Sequence, residues 1–176
     1  MSDRIGVMRG GKMVQVSKPE DLFNLPKNDF IGEFIGQPRM NFLDGVLDSD
    51  GSVELASEAN KLLRLDAEMV GEFETPRDVI IGIRPQHLTI SERDEDGFMS
   101  AKYDVDELIG TEHVTYLIDD SDNELRVLVS DRPRIERGER VSLTKPTRLY
   151  AFDADSGDLL SEFDDSEYEV APAQTS

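Results

Sequence analysis

The side chains that could do chemistry in this chain are few and far apart. His87 and His113 are the only histidines, and there is no cysteine. A structural or catalytic zinc takes three or four ligands, so two distant histidines point to structural roles. Neither histidine has a serine and an acid at motif spacing, so a nucleophilic triad is unsupported. Gly10-Gly11-Lys12-Met13 places a lysine after glycine. A phosphate-cradling loop needs G-x-x-x-x-G-K-[ST] between a strand and a helix, and this tetrapeptide suits a tight hairpin turn instead. Asp94-Glu95-Asp96-Gly97 and Asp153-Ala154-Asp155-Ser156-Gly157 resemble calcium loops but lack the closing glutamate, so turn chemistry accounts for both. Arg84 stands apart. A guanidinium can clamp a carboxylate with two hydrogen bonds, so Arg84 is expected either to order the domain or an interface, or to form an ion pair within a barrel. No residue is assigned to catalysis, to a metal or to a cofactor.

The charge balance narrows the partners. Asp and Glu total 38 against 19 Lys plus Arg, a net charge of −19 with a pI near 4.3. The acids run through the whole length, as on the solvated surface of a salt-adapted protein, and Arg outnumbers Lys. A salt-loving source is therefore expected. Nucleic acid needs a basic patch, and none is visible. No apolar run approaches the ~18 residues that span a membrane, and Met1-Ser2-Asp3-Arg4 lacks a secretory core, so a cytoplasmic location is expected. At 176 residues the chain should hold one full domain with a small appendage.

The elements that must position these residues follow from periodicity. Residues 4–16 read as a hairpin turning at Arg9-Gly10-Gly11-Lys12. Ser17 and Glu20 have the spacing of a capping box for a short helix that stops at Pro26. A second helix, about 28–36, has Asn28 as cap, an apolar stripe of Phe30, Ile31, Phe34 and Ile35, and Gly36 at its end. From residue 40 the period becomes two. Strands are expected at about 41–48, 52–56, 61–66, 78–83, 87–91, 99–108, 112–119, 124–130, 140–144, 147–152 and 159–163, separated by Asp/Gly-rich turns. Many short strands at regular spacing suggest an antiparallel barrel or sandwich. Residues 167–176 read as a frayed tail.

Two stretches carry a family resemblance. Ile80-Ile81-Gly82-Ile83-Arg84-Pro85-Gln86-His87-Leu88 is a β-branched run stopped by a proline, and Phe34-Ile35-Gly36-Gln37-Pro38-Arg39-Met40-Asn41-Phe42-Leu43 precedes it. Both resemble signatures of the C-terminal domain of sugar-type ABC transporter ATPase subunits, the transport-associated OB (TOBE) domain. Residues 3–16 resemble the segment that follows the switch histidine in that family, so the motor motifs would lie upstream and hydrolysis is not expected of this chain. The resemblance implies a mainly β fold: an OB-like antiparallel barrel preceded by a β-hairpin and two short helices. It divides the chain into a remnant of the nucleotide-binding domain (1–36), the regulatory barrel (37–166) and a flexible tail (167–176). Such domains form part of a twofold ATPase dimer beside permease subunits, peripheral to the cell membrane, usually for sugar or polyol uptake. A homodimer is therefore expected, with Met40, Asn41, Phe42, Arg84 and His87 as candidate interface or regulatory residues. The alternatives are a stand-alone small-ligand or oxyanion-binding module on the same barrel, and a truncated product inactive alone.

Overall fold

A computed structural model describes residues 3–56, 61–66, 75–91 and 97–172. The chain opens with the hairpin of β1 (Ile5–Arg9) and β2 (Lys12–Ser17). Gly10 and Gly11 form its turn at φ 55° and 78°, a conformation that glycine takes without steric cost. Two short helices follow, α1 (Pro19–Asn24) and α2 (Asp29–Phe34). Asn28 caps α2, its Oδ1 accepting from the Ile31 amide at 3.1 Å. The expected cap on α1 is corrected. Ser17 ends β2, Lys18 occupies the N-cap without a side-chain bond, and Pro19, whose φ is already helical, starts the helix instead. Val7, Leu22 and Ile31 bury against one another in a small apolar cluster.

The strands then run β3 (Asn41–Leu47), β4 (Ser52–Leu55), β5 (Lys61–Leu65), β6 (Arg77–Ile83), β7 (Ile90–Ser91), β8 (Met99–Ile109), β9 (Glu112–Ile118), β10 (Glu124–Val129), β11 (Arg140–Leu143), β12 (Arg148–Asp153), β13 (Leu159–Asp164) and β14 (Tyr168–Pro172). They build a seven-stranded sheet ordered β13-β12-β6-β3-β4-β5-β14 and a five-stranded sheet ordered β10-β9-β8-β11-β7, with every pairing antiparallel. The result is mainly β and OB-like. Along β3, Leu43 and Leu47 are buried while Asp44 and Val46 face out, the period-two alternation of a half-buried strand. One apolar cluster draws from both sheets, with Leu43, Ile81 and Leu149 meeting Ala101, Leu117 and Leu143.

Two expectations change here. The strand expected at 87–91 is only Ile90–Ser91, because Pro85 starts a 3₁₀ turn over Pro85–His87. The tail expected over 167–176 contains β14, whose Tyr168 to Pro172 pair with Leu65 to Lys61. Tyr168 is buried, its hydroxyl donates to the Pro146 carbonyl, and Lys145 Nζ donates to the Tyr168 carbonyl at 2.7 Å. Residues 173–176 lie outside the described residues, as do Asp94, Glu95 and Asp96 of the first acidic turn.

Candidate functional site

Arg84 sits where strand chemistry stops. β6 ends at Ile83, and the residue before a proline is pushed to extended backbone, here φ −72° and ψ 143°. That geometry sends the side chain off the end of β6 towards the two helices. Nε and Nη2 both donate to the Phe23 carbonyl, at 3.1 and 2.5 Å, and Nη1 donates to the Ile35 carbonyl at 2.9 Å. The guanidinium carbon stacks 3.8 Å from the Phe23 ring centroid. Phe23 lies in the last turn of α1 and Ile35 is the C-cap of α2. Both helix ends leave carbonyls without intrahelical partners and carry partial negative charge. One cation therefore closes two helix C-termini and ties them to the barrel.

The expected carboxylate partner is absent from these bonds: Arg84 is an ordering residue that uses backbone carbonyls. It is 1% exposed, and burial pushes its pKa down from the ordinary value while the neighbouring Tyr150 hydroxyl opposes that shift. An arginine keeps its proton regardless. The carbonyl bonds and the aromatic face thus replace its lost hydration.

Met40 and Phe42 pack beside this junction, whereas Asn41 ties the two sheets together. Met40 is buried with Tyr150 and Phe152, and Phe42 meets Phe152 edge to face at 6.1 Å. Gly82 makes room for this group. A Cβ there would lie 2.6 Å from Met40 Sδ and 2.8 Å from Phe152 Cε2. Asn41 is 1% exposed, and its amide acts as a one-residue strand. Nδ2 donates to the Arg126 carbonyl at 2.8 Å and Oδ1 accepts from the Arg126 amide at 2.7 Å. It thereby gives β10, the edge of the five-stranded sheet, a backbone-like partner from β3 of the other sheet.

His87 is half-buried and shares a 2.9 Å hydrogen bond between Nδ1 and Thr147 Oγ1. Burial, then Arg148 and Arg84, push its pKa below the ordinary histidine value, against the pull of Asp164. His113 lies elsewhere. Its Nδ1 is 3.3 Å from Asp106 Oδ2, and Asp106 Oδ1 also takes Tyr103 Oη at 2.5 Å and Arg132 Nε at 3.0 Å. The Tyr103 hydroxyl first, and Arg132 after it, hold the Asp106 carboxyl below the usual range. Sequence reading missed this cluster, because the register slips by one residue between Tyr103 and Val105 and hides which side chains share a face. Asp153 was read correctly as turn chemistry. It accepts from the Ser156 amide at 2.7 Å and from Arg77 Nε at 2.6 Å. Among the described residues no group of three or more His, Cys, Asp or Glu is placed to hold a metal, and no helix is long and apolar enough to cross a membrane.

The fold and junction define an OB-like β domain with a helical lead-in latched by Arg84. Residues 36–88, which contain Met40, Asn41, Phe42, Arg84 and His87, match the MalK OB fold domain. The chain is similar to ATP-binding subunits of ABC-type importers over part of their length. It is 35% identical over 182 residues to the oligosaccharides import ATP-binding protein MsmX of Bacillus subtilis, spanning 97% of this chain and 44% of that protein. It is 44% identical over 89 residues to the trehalose/maltose import ATP-binding protein MalK of Thermococcus litoralis, half of this chain and 24% of that one. It is 27% identical over 168 residues to the xylose/arabinose import ATP-binding protein XacJ of Haloferax volcanii, 89% of this chain and 43% of that protein. The chain thus spans less than half the length of these relatives. A solved structure of the cytoplasmic molybdate-binding protein ModG, with molybdate bound, aligns at a TM-score of 0.47 and 8% identity, over 74% of this chain and 94% of that one.

Proposed function

We propose that this chain is the C-terminal regulatory and dimerisation domain of an ABC importer ATPase subunit for sugars or polyols, without the motor. The match of residues 36–88 to the MalK OB fold domain carries the reading. Residues 1–36 are then the end of the nucleotide-binding domain, and the Arg84 latch transmits their position to the barrel. ATP hydrolysis belongs to the motor, and no G-x-x-x-x-G-K-[ST] occurs in the chain. The functional partners are permease subunits and a second copy of the subunit at the cytoplasmic face of the membrane. The outer hairpin face supports assembly, because Met8, Met13 and Val16 are 57%, 56% and 41% exposed there. A stand-alone oxyanion module would want an unbalanced basic pocket. The arginines at the polar cleft beside β10 pair with acids instead, Arg39 with Glu33 and Arg126 with Glu124.

Deleting the coding region in the source organism tests the reading. Growth on at least one of maltose, trehalose, xylose or glycerol as sole carbon source should fail and return on complementation. Unchanged growth on all four overturns it. Calorimetry with Mg-ATP should show no one-to-one binding, and sedimentation in concentrated KCl should report about twice the chain mass.

A further inference from the structure

The linker that leads into the barrel forms one wall of a cleft, and the β8–β9–β10 meander forms the other. The cleft measures about 510 Å³ and is lined by Gln37, Arg39, Glu107, Tyr116, Glu124 and Arg126 among others. Arg39 also lines a neighbouring hollow of about 250 Å³ with Phe30, Glu33 and Phe34. Phe34 is 67% exposed and stacks on Phe30 at 5.8 Å between centroids. An aromatic ring left this open on a two-turn helix offers an unused apolar face.

The polar groups restrict what could lie here. Glu107 accepts from Tyr116 Oη at 3.1 Å, Arg39 lies 3.6 Å from Glu33, and Arg126 pairs with Glu124 while its guanidinium sits 5.9 Å from the Tyr116 centroid. An anion entering the cleft meets Glu107 and Glu124, and a cation meets Arg39 and Arg126. Each charge is attracted by one pair and repelled by the other, so this balanced lining favours neither sign. A purely apolar ligand would strand the charged rim without water. What remains is a neutral molecule with both C–H faces and many hydroxyls. Guanidinium N–H groups donate to hydroxyl oxygens, carboxylates accept from hydroxyl protons, and ring faces cover the C–H surface.

We infer that this cleft, together with the hollow that shares Arg39 with it, is a binding site for a neutral saccharide or polyol, with Tyr116 in the cleft and Phe34 in the hollow as ring platforms and Arg39, Glu124 and Arg126 as the hydroxyl-binding groups. The site deepens the importer reading, on which it rests: the domain would sense imported solute on the cytoplasmic side. Arg126 is held before the ligand arrives by Glu124 and by the nearby Tyr116 ring, which lowers the ordering cost of binding there.

The probes are maltose, trehalose, xylose and glycerol, titrated into the full chain in concentrated KCl by calorimetry and ligand-observed NMR. At least one should bind saturably with a Kd of about 1 mM or tighter. Phe34→Ala and Arg39→Ala alter exposed side chains and should each weaken binding about fivefold or more without moving Tm. Tyr116→Phe, which keeps the ring and loses the hydroxyl that holds Glu107, should weaken it less than Phe34→Ala. No saturable binding of any probe overturns the site, as does binding unaffected by both exposed-residue variants. Displacement by phosphate or ATP overturns the ligand class. A chain that binds no sugar yet supports growth in the complementation test loses the cleft and keeps the domain reading.

Discussion

Arg84 concentrates the junction's energetics in one side chain. Replacing it with methionine keeps volume but removes every donor to the Phe23 and Ile35 carbonyls. Each buried acceptor left unpaired costs about 1–3 kcal/mol, so Arg84→Met should destabilise the chain by about 2–5 kcal/mol. Denaturant melts check this, and a loss below about 1 kcal/mol would show that water replaces the guanidinium. His87 supplies a pH test. Its folded pKa lies below the unfolded value because burial first, and then Arg148 and Arg84, disfavour the charged ring. The unfolded chain therefore binds the proton more readily, and stability falls as pH drops below about 6.5. It stops falling from this cause once pH is below the folded pKa. Asp106 and Asp153 have lowered folded values, so their contributions are lost only at lower pH, through the carboxylate range. Melts of the wild type and His87→Gln between about pH 8 and 5 should therefore diverge, with the variant flatter. Parallel curves would remove His87 as the cause.

At the scale of elements, β14 is the test of how the seven-stranded sheet ends. β5 pairs with β4 on one side and β14 on the other. Ending the chain after residue 166 would strip that second partner from Lys61 to Leu65 and expose the apolar surface that Tyr168 covers. The truncated chain should melt lower and self-associate through the bared edge, seen as a concentration-dependent shift in sedimentation. If it remains as stable as the whole chain, β14 is dispensable. Its strand was illegible in sequence because Glu167 and Glu169 flank Tyr168 and make the segment look solvated. The hairpin and α2 were legible, since their signals are local: two glycines at a turn, and an asparagine three residues before the amide it caps. The Arg84 contacts were not. Its acceptors are carbonyls 61 and 49 positions away, and any residue type supplies a carbonyl. Asn41 was flagged as a candidate, yet its partner is an amide and carbonyl 85 positions on, again anonymous in sequence. The division at residue 36 is now coupled to Arg84. Deleting residues 1–36 also removes both acceptors of a buried guanidinium. The deletion should therefore cost about as much as Arg84→Met, and the two changes combined should be far from additive.

For the whole molecule, the governing quantity is a net charge of −19 on 176 residues. Ion pairs offset only part of it. Arg39–Glu33, Arg137–Asp104 and Arg140–Asp120 sit on largely exposed side chains, where each contributes little and weakens in salt. Two opposite salt effects thus compete. Screening weakens the pairs, but it also relieves repulsion among the acids, which outnumber the bases two to one. The Debye length falls from about 30 Å at 0.01 M to about 3 Å at 1 M. Repulsion acts between many distant charges and is screened first, whereas contact pairs at 2.6 to 3.6 Å persist to higher salt. Relief of repulsion wins. Thermal midpoints should rise from about 0.05 M to about 3 M KCl, steeply at first and then more slowly, once screening is complete and only salting-out of apolar surface adds stability. The same series with an Asp104→Asn, Asp120→Asn double variant separates the two terms. It loses two acids and two weak pairs, so its midpoint should exceed the wild type at low salt and converge with it at high salt. A midpoint that falls with added KCl would mean that the surface pairs outweigh the repulsion, and the acidic surface would then need another explanation than life in concentrated salt.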